Sequence, residues 1–219
     1  GEPTLARWLG AAGYAVGYVG KWHLASTAGT EHNYHYCAIP PERRGGYDGY
    51  WMAADLPEYT SSGYAGVLFD QAGQTVPWTG YRADVYTDHA LNFLAQQSAD
   101  QPFFLFLSYV EPHPQPYHKA YQGPPPASRA GIIRDYLRYD APNDAEPPAS
   151  PPVVPDDLRA TPGDWQEGYA DYLACCARVD TNVARLVAHL RASHTLENTV
   201  IIYASDHGCH FHTRHQSND

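Results

Sequence analysis

The sequence predicts an α/β fold, a mostly parallel sheet with helices on both faces. Three observations predict it. A helix-type apolar stripe is followed by a short strand-type run at 3–19, again at 82–110, and again at 165–204. The later runs, FFLFLSYV and VIIY, are short, continuous and apolar, as suits strands buried on both faces. Each run also stops abruptly at polar residues: Gly20-Lys21-Trp22-His23, then Glu111-Pro112-His113-Pro114, then Ser205-Asp206-His207-Gly208.

The elements follow in order. Pro3 to Ala12 reads as a helix, with Pro3 in the first turn, Leu5, Trp8, Leu9 and Ala12 on one face, and Gly13 just past the end. Tyr14 to Val19 reads as a strand that Gly17 weakens. Ala25 to Gly80 reads as irregular and aromatic-rich. Within it, Arg43 and Arg44 precede two glycines and are either solvated loop residues or an anion grip. Arg82 to Gln97 is a helix with Ala83, Tyr86, Ala90, Phe93 and Leu94 on one face, and Phe103 to Val110 is a strand. Gly123 to Gly163 holds ten of the nineteen prolines and reads as a surface excursion at about 123–163, with one short helix around Ile132, Ile133, Tyr136 and Leu137. Trp165 to His194 is the longest helix, its stripe running through Tyr169, Leu173, Cys176, Val179, Val183, Leu186 and Leu190. Arg178 and Asp180 lie off that stripe and are expected to be solvated or capping. Val200 to Tyr203 is expected to be a buried strand.

Composition bounds the function. The 219 residues suffice for one sizeable α/β domain. A net charge of −10 argues against a generic nucleic-acid partner. No apolar run approaches the roughly 18 residues of a membrane span. The four cysteines form no C-x-x-C pair, and Cys175 and Cys176 read as small core residues. The chain opens at Gly1 directly into a helix, so it is expected to be an internal piece of something longer.

Right-handed crossovers bring successive parallel strands out on one edge. Lys21, His23, His113, Asp206 and His207 are therefore expected to share one rim. Asp offers a hard oxygen and His an imidazole, so Asp206 and His207 are candidate metal ligands. A solvated turn capped by Asp206 is the plainer alternative. A cation, several imidazoles and a carboxylate suit metal-assisted hydrolysis of an anionic ester.

Four stretches carry a resemblance. GYAVGYVGKWHLA resembles the second signature of the sulfatase family, G-Y-x-T-x-x-x-G-K-x-H, with Val16 where Thr is expected. PFFLFLSYVEPHPQP resembles that family's strand and Pro-His loop. LENTVIIYASDHG resembles its D-N-T-x-x-x-x-x-S-D-H-G segment, with Glu197 in place of Asp, and RRGGYDGYWMAAD is similar to a stretch of one bacterial subgroup. The resemblance covers nearly the whole chain apart from the Pro-rich excursion.

It implies an alkaline-phosphatase-like fold and a partial sulfatase catalytic domain over 1–219. It implies a sulfuric ester hydrolase acting on a small-molecule or carbohydrate sulfate ester. Lys21 would contact the sulfate and the catalytic formylglycine. His23 would hydrogen-bond the formylglycine hydrate and help expel sulfate. His113 would hold a sulfate oxygen and protonate the leaving group. Asp206 and His207 would complete the shell of a divalent metal, usually calcium, with His207 where many relatives have Asn.

There are departures. None of the four cysteines lies in the C/S-x-P-x-R segment that yields formylglycine; Cys209 is followed by His210, Phe211 and His212. The paired Asp of the family's first strand and the Lys downstream of the D-H-G segment are missing; the only lysines are Lys21 and Lys119. The expectation is a fragment that does not turn over sulfate esters by itself. With its sheet edges unpaired, poor solubility is also expected. Two other readings stay open. One is a phosphodiester or phosphonate hydrolase of the same superfamily. The other is a non-catalytic protein holding zinc or nickel through His207, His210, His212 and His215.

Overall fold

The structure, a computed structural model, describes residues 3–26, 33–98, 100–116, 137–145 and 165–209. Five strands form the main sheet: β1 (Ala15–Lys21), β2 (Tyr50–Ala54), β3 (Ala65–Asp70), β4 (Thr75–Thr79) and β5 (Phe103–Ser108). Their order is β4-β3-β2-β1-β5. β1 runs parallel to both β2 and β5, whereas β2–β3 and β3–β4 are antiparallel. The sheet is therefore mixed, with a parallel centre and an antiparallel hairpin at one edge.

The pleat of β1 divides the core. Val16 and Tyr18 point to the side of α1 (Leu5–Ala11), packing with Ala6, Trp22, Tyr47, Trp51 and Ala53. Ala15 and Val19 point to the side of α3 (Arg82–Ala95), where Tyr86 and Phe93 meet them. Helices thus cover both faces, as expected. Two glycines permit the close approach. A Cβ on Gly17 would stand 2.8 Å from the Phe93 ring, so its absence lets Phe93 lie directly on β1. Gly20 has φ +109, and a Cβ there would lie 1.9 Å from the Ser108 carbonyl oxygen. The strands β1 and β5 therefore close together just where both leave the sheet.

The expected α3 stripe of Ala83, Tyr86, Ala90, Phe93 and Leu94 is buried. The last helix, α4 (Trp165–Ala192), packs on α3 with Val179 and Leu190 of the expected stripe buried and Tyr169 and Leu186 packed against the core, but Cys175 and Asn182 are buried there too. The difference is polar. Asn182 donates to Asp84 Oδ1 at 2.7 Å, and Arg178 pairs with Asp84 at 3.1 Å and with Asp144. Arg178 is thus a bridge between helices and not a solvated residue, while Asp180 is exposed as expected.

Four further expectations are corrected. The stretch 25–80, read as irregular, holds β2, β3, β4 and the short α2 (Pro57–Thr60) in its described part. Its strands are only five or six residues long, so aromatic and turn residues masked the alternation. Arg43 and Arg44 neither grip an anion nor sit in solvent. Arg44 is buried, donates to the Ile39 and Gln71 carbonyls at 2.8 and 2.9 Å, and lies over Trp51. Arg43 donates to the Ala25 carbonyl at 3.1 Å and lies over Tyr34. Helix α1 buries Ala6 while Leu5 and Trp8 are exposed. It approaches β1 through small residues, Gly10 against Val16, which turns the larger face outward. The Pro-rich excursion reaches inward at one point. Leu137–Arg138 form β7, paired with β6 (Gln115–Pro116), while Ile132, Ile133 and Tyr136 lie outside the described residues. Next to β7, the buried Asp140 accepts from Gly63 N–H at 2.8 Å through its carboxylate and from Tyr81 O–H at 2.9 Å through its carbonyl.

The largest correction concerns Val200 to Tyr203. This stretch forms no strand, and Val200 and Ile202 are 86% and 85% exposed. A strand exists only where a neighbour takes its N–H and C=O groups. Among the described residues none pairs with this stretch. Two strand exits, those of β1 and β5, therefore share the rim in place of three.

Candidate active site at the exits of β1 and β5

Because β1 and β5 are parallel neighbours, the residues that follow them emerge side by side. Lys21 is the last residue of β1, and its Nζ pairs with Glu58 Oε1. His113, past the end of β5, places Nδ1 3.8 Å from the same oxygen. His113 Nδ1 also lies 2.6 Å from the Pro114 carbonyl oxygen. A carbonyl only accepts, so Nδ1 carries the proton and any proton transfer by this ring runs through Nε2. The two rim residues read from the sequence are thus brought together by a third that the sequence reading missed.

Glu58 sits on α2 with its side chain 4% exposed. Burial alone would raise its pKa; the Lys21 ammonium outweighs burial and holds the carboxylate below its ordinary value. Behind it lies a second buried pair. Arg82, at the start of α3, reaches Glu111 Oε1 through Nε at 2.9 Å and Nη2 at 2.8 Å. Its Nη1 donates to Ser61 Oγ at 3.1 Å, and Ser61 Oγ donates to the Pro57 carbonyl at 2.6 Å. Burial would lower the Arg82 pKa, but Glu111 first, together with Tyr86, Asp140 and Glu58, outweighs it and keeps the guanidinium charged. This network ties α2, α3 and the loop after β5 into one frame under Lys21 and His113.

The loop after β1 is held by Asp55. Its buried carboxylate accepts from the N–H groups of Leu24, Ala25 and Ser26 at 3.1, 3.0 and 2.9 Å. The ladder to β2 continues through Trp22 N–H to the Ala54 carbonyl and His23 N–H to the Asp55 carbonyl. His23 adopts φ 52 in this turn and is exposed. It therefore stands beside the Lys21–His113 pair in the chain, with its ring in solvent.

Asp206 and His207 stand apart. Asp206 Oδ1 accepts from His207 N–H at 2.8 Å, and His207 Nε2 lies 3.6 Å from Asp206 Oδ2. Past them the tail approaches the α4 side, where Cys209 Sγ meets the Tyr139 hydroxyl at 2.7 Å. Among the described residues no group of three His, Cys, Asp or Glu side chains is placed to hold a metal ion. Asp206 and His207 alone offer two donors, the former with its side chain 86% exposed. They do not by themselves fit a resident calcium ion. His210, His212 and His215 lie outside the described residues. No described cysteine is placed as a formylglycine precursor. Cys175 is packed between Tyr81 and Asp140, and burial pushes its thiol up to about 12. No helix among the described residues is long and apolar enough to cross a membrane.

Sequence reasoning missed Glu58, Asp55, Arg82 and Glu111. A signal existed for one of them: Pro57-Glu58 is the pattern of a helix start, with Pro first and an acid in the first turn.

Comparison with known proteins identifies the family. N-acetylglucosamine-6-O-sulfatase of Bacteroides thetaiotaomicron is 25% identical, over 94% of this chain and 44% of its own length. The YidJ sulfatase of Escherichia coli K12 is 31% identical over 94% of this chain and 41% of its own. The ulvan-active sulfatase of Formosa agariphila is 27% identical over 94% and 35%. The chain thus spans less than half the length of these relatives. Among solved structures, a YidJ sulfatase of Bacteroides fragilis aligns with a TM-score of 0.66 at 20% identity, over 99% of this chain and 46% of that one. BT4656, solved with its substrate D-glucosamine-2-N,6-O-disulfate, aligns with a TM-score of 0.55 at 21% identity, over 90% and 48%. These likenesses show the α/β fold of the alkaline-phosphatase-like sulfatases. Residues 1–219 match the sulfatase family throughout, and the chain belongs to that family.

Proposed function

We propose that this chain supplies the sulfate-holding part of the active site of a sulfuric ester hydrolase acting on a sulfated carbohydrate. The observation that carries the reading is the convergence of Lys21 and His113, from adjacent parallel strands, on one carboxylate oxygen. An ammonium is a compact point charge suited to a sulfate oxygen. An imidazole whose Nδ1 proton is fixed by a carbonyl can present Nε2 to the bridging oxygen. Cleaving a sulfate ester leaves negative charge on that oxygen, and a His113 imidazolium that gives up its Nε2 proton, returning to the neutral Nδ1–H ring, lets it depart as a neutral hydroxyl. His23, exposed two residues past Lys21, is the third donor in this reading.

A divalent metal and a formylglycine would supply electrophilic activation and the nucleophile in a complete sulfatase. The described residues build neither. The carbohydrate class is supported by two relatives, an N-acetylglucosamine-6-O-sulfatase and BT4656 with its disulfated glucosamine.

The test is sulfate release from N-acetylglucosamine 6-sulfate by the complete product of the gene encoding this chain. Lys21→Ala and His113→Ala are each expected to lower kcat/KM by about 10²-fold or more, the scale of a lost acid or oxyanion partner. Wild-type rates in both variants would refute the reading. Cleavage of a phosphodiester to a phosphate monoester and an alcohol, with no release of sulfate, would replace it by the phosphodiesterase alternative.

A further inference from the structure

We infer that Glu58 is a positioning residue of this site, fixing Lys21 and His113 relative to one another through its single oxygen Oε1. The inference rests on the sulfate-holding reading of those two residues. Glu58 does not act on the ester itself, because a carboxylate beside a sulfate is repelled by it. Its effect passes through Lys21, with which it pairs, and through its charge 3.8 Å from His113 Nδ1.

The geometry is that of a clamp. Lys21 Nζ and His113 Nδ1 approach the same oxygen from two different strand exits. The carboxylate is itself immobilised. Glu58 is buried on α2, whose first residue Pro57 is also buried. Ser61, just past α2, is tied to the Pro57 carbonyl and receives a hydrogen bond from Arg82. Arg82 in turn is held by Glu111, two residues before His113. The loop carrying His113 and the helix carrying Glu58 are thus parts of one buried framework. Lysine on its four-carbon stem has many rotamers and no intrinsic geometry. The fixed acid selects one of them, and it keeps the imidazole in the same neighbourhood.

Charge points the same way. Lys21 and Arg82 oppose Glu58 and Glu111, so these four charges balance. Removing the charge of Glu58 leaves Lys21 as the excess cation at the rim. Its ammonium then turns toward water, away from the position next to His113.

The experiment uses the chain's two lysines. Trinitrobenzenesulfonate labelling, read by peptide mass, reports Lys21 with Lys119 as the internal reference. Glu58→Gln keeps the side-chain size and removes the charge. It is expected to raise Lys21 labelling relative to Lys119 by about tenfold, as for a lost buried charge partner. In the complete gene product, the same variant is expected to lower kcat by about 10²-fold with KM within about threefold, the signature of mispositioning. Glu58→Asp, which keeps the charge, is expected to recover about tenfold of that loss.

An unchanged labelling ratio, or an unchanged kcat, in Glu58→Gln overturns the inference. Should Glu58→Gln fail to fold, Glu58→Asp decides. Its shorter carboxylate must shift the labelling ratio and kcat, and wild-type values of both overturn the inference. Absence of sulfate release by the wild-type product defeats the sulfate reading alone. The labelling ratio then still decides whether Glu58 fixes Lys21.

Discussion

Replacing Glu111 with alanine strips the carboxylate from a guanidinium that has no route to water. Arg82 and Glu111 side chains are 1% and 2% exposed, and the short contacts that hold the pair include two to Glu111 and one to Ser61. Removing one partner of a buried ion pair costs about 3–5 kcal/mol, because the other charge stays buried without compensation. Ser61 retains one contact to Arg82, which places the loss near the lower end, about 3 kcal/mol. For a domain of this size each kcal/mol is worth about 2–4 °C in Tm, so Tm should fall by about 6–12 °C. Thermal unfolding followed by circular dichroism measures this. The double variant Arg82→Met with Glu111→Leu swaps the pair for apolar groups of similar size and should lie within about 1 kcal/mol of wild type. A loss below about 1 kcal/mol in Glu111→Ala, or a double variant less stable than the single one, would refute the reasoning.

Two further outcomes are expected. Gly17→Ala drives a methyl to 2.8 Å from the Phe93 ring. It should cost about 1–3 kcal/mol in urea unfolding, and Phe93→Leu in the same chain should recover part of the loss; additive losses would argue against the contact. Glu58 has a folded pKa below its ordinary value of 4.5. The folded state therefore binds this proton less readily than the unfolded state. Its stabilisation is fully present above about pH 4.5 and is lost as pH falls through the lower folded value. The gap in urea midpoint between wild type and Glu58→Gln should narrow between about pH 6 and about pH 3. A gap that widens on acidification would contradict the Lys21 pairing.

Much of the centre was legible in the sequence. The α3 stripe is buried as its periodicity required, and the polar residues after β1 and β5 do emerge together; the run Phe103 to Ser108 is a strand as expected but not one buried on both faces, for it lies at the edge of the sheet among the described residues, half-buried with Phe106 exposed. These are short-range properties of a segment, which propensity and pattern encode directly. What escaped depends on partners. Val200 to Tyr203 has every local mark of a strand and no strand beside it among the described residues. Leu5 and Trp8 share a helix face, but α1 packs by its small residues, so that face points outward. Arg44, Asn182 and Glu58 are polar residues in the interior. Residue type alone assigns such groups to the surface, and only the tertiary arrangement reveals what satisfies them. The active-site reading divided along the same line. Lys21 and His113 follow β1 and β5; the stretch before Asp206 and His207 pairs with no strand among the described residues.

The most direct test of the central claim is a double-mutant cycle on sulfate binding. Affinity for inorganic sulfate would be measured by titration calorimetry on the complete gene product, for wild type, Lys21→Ala, His113→Ala and the double variant. If both side chains hold one sulfate, the losses are non-additive, with a coupling of about 0.5–3 kcal/mol. Strictly additive losses, or a double variant that binds sulfate as tightly as wild type, would contradict the claim.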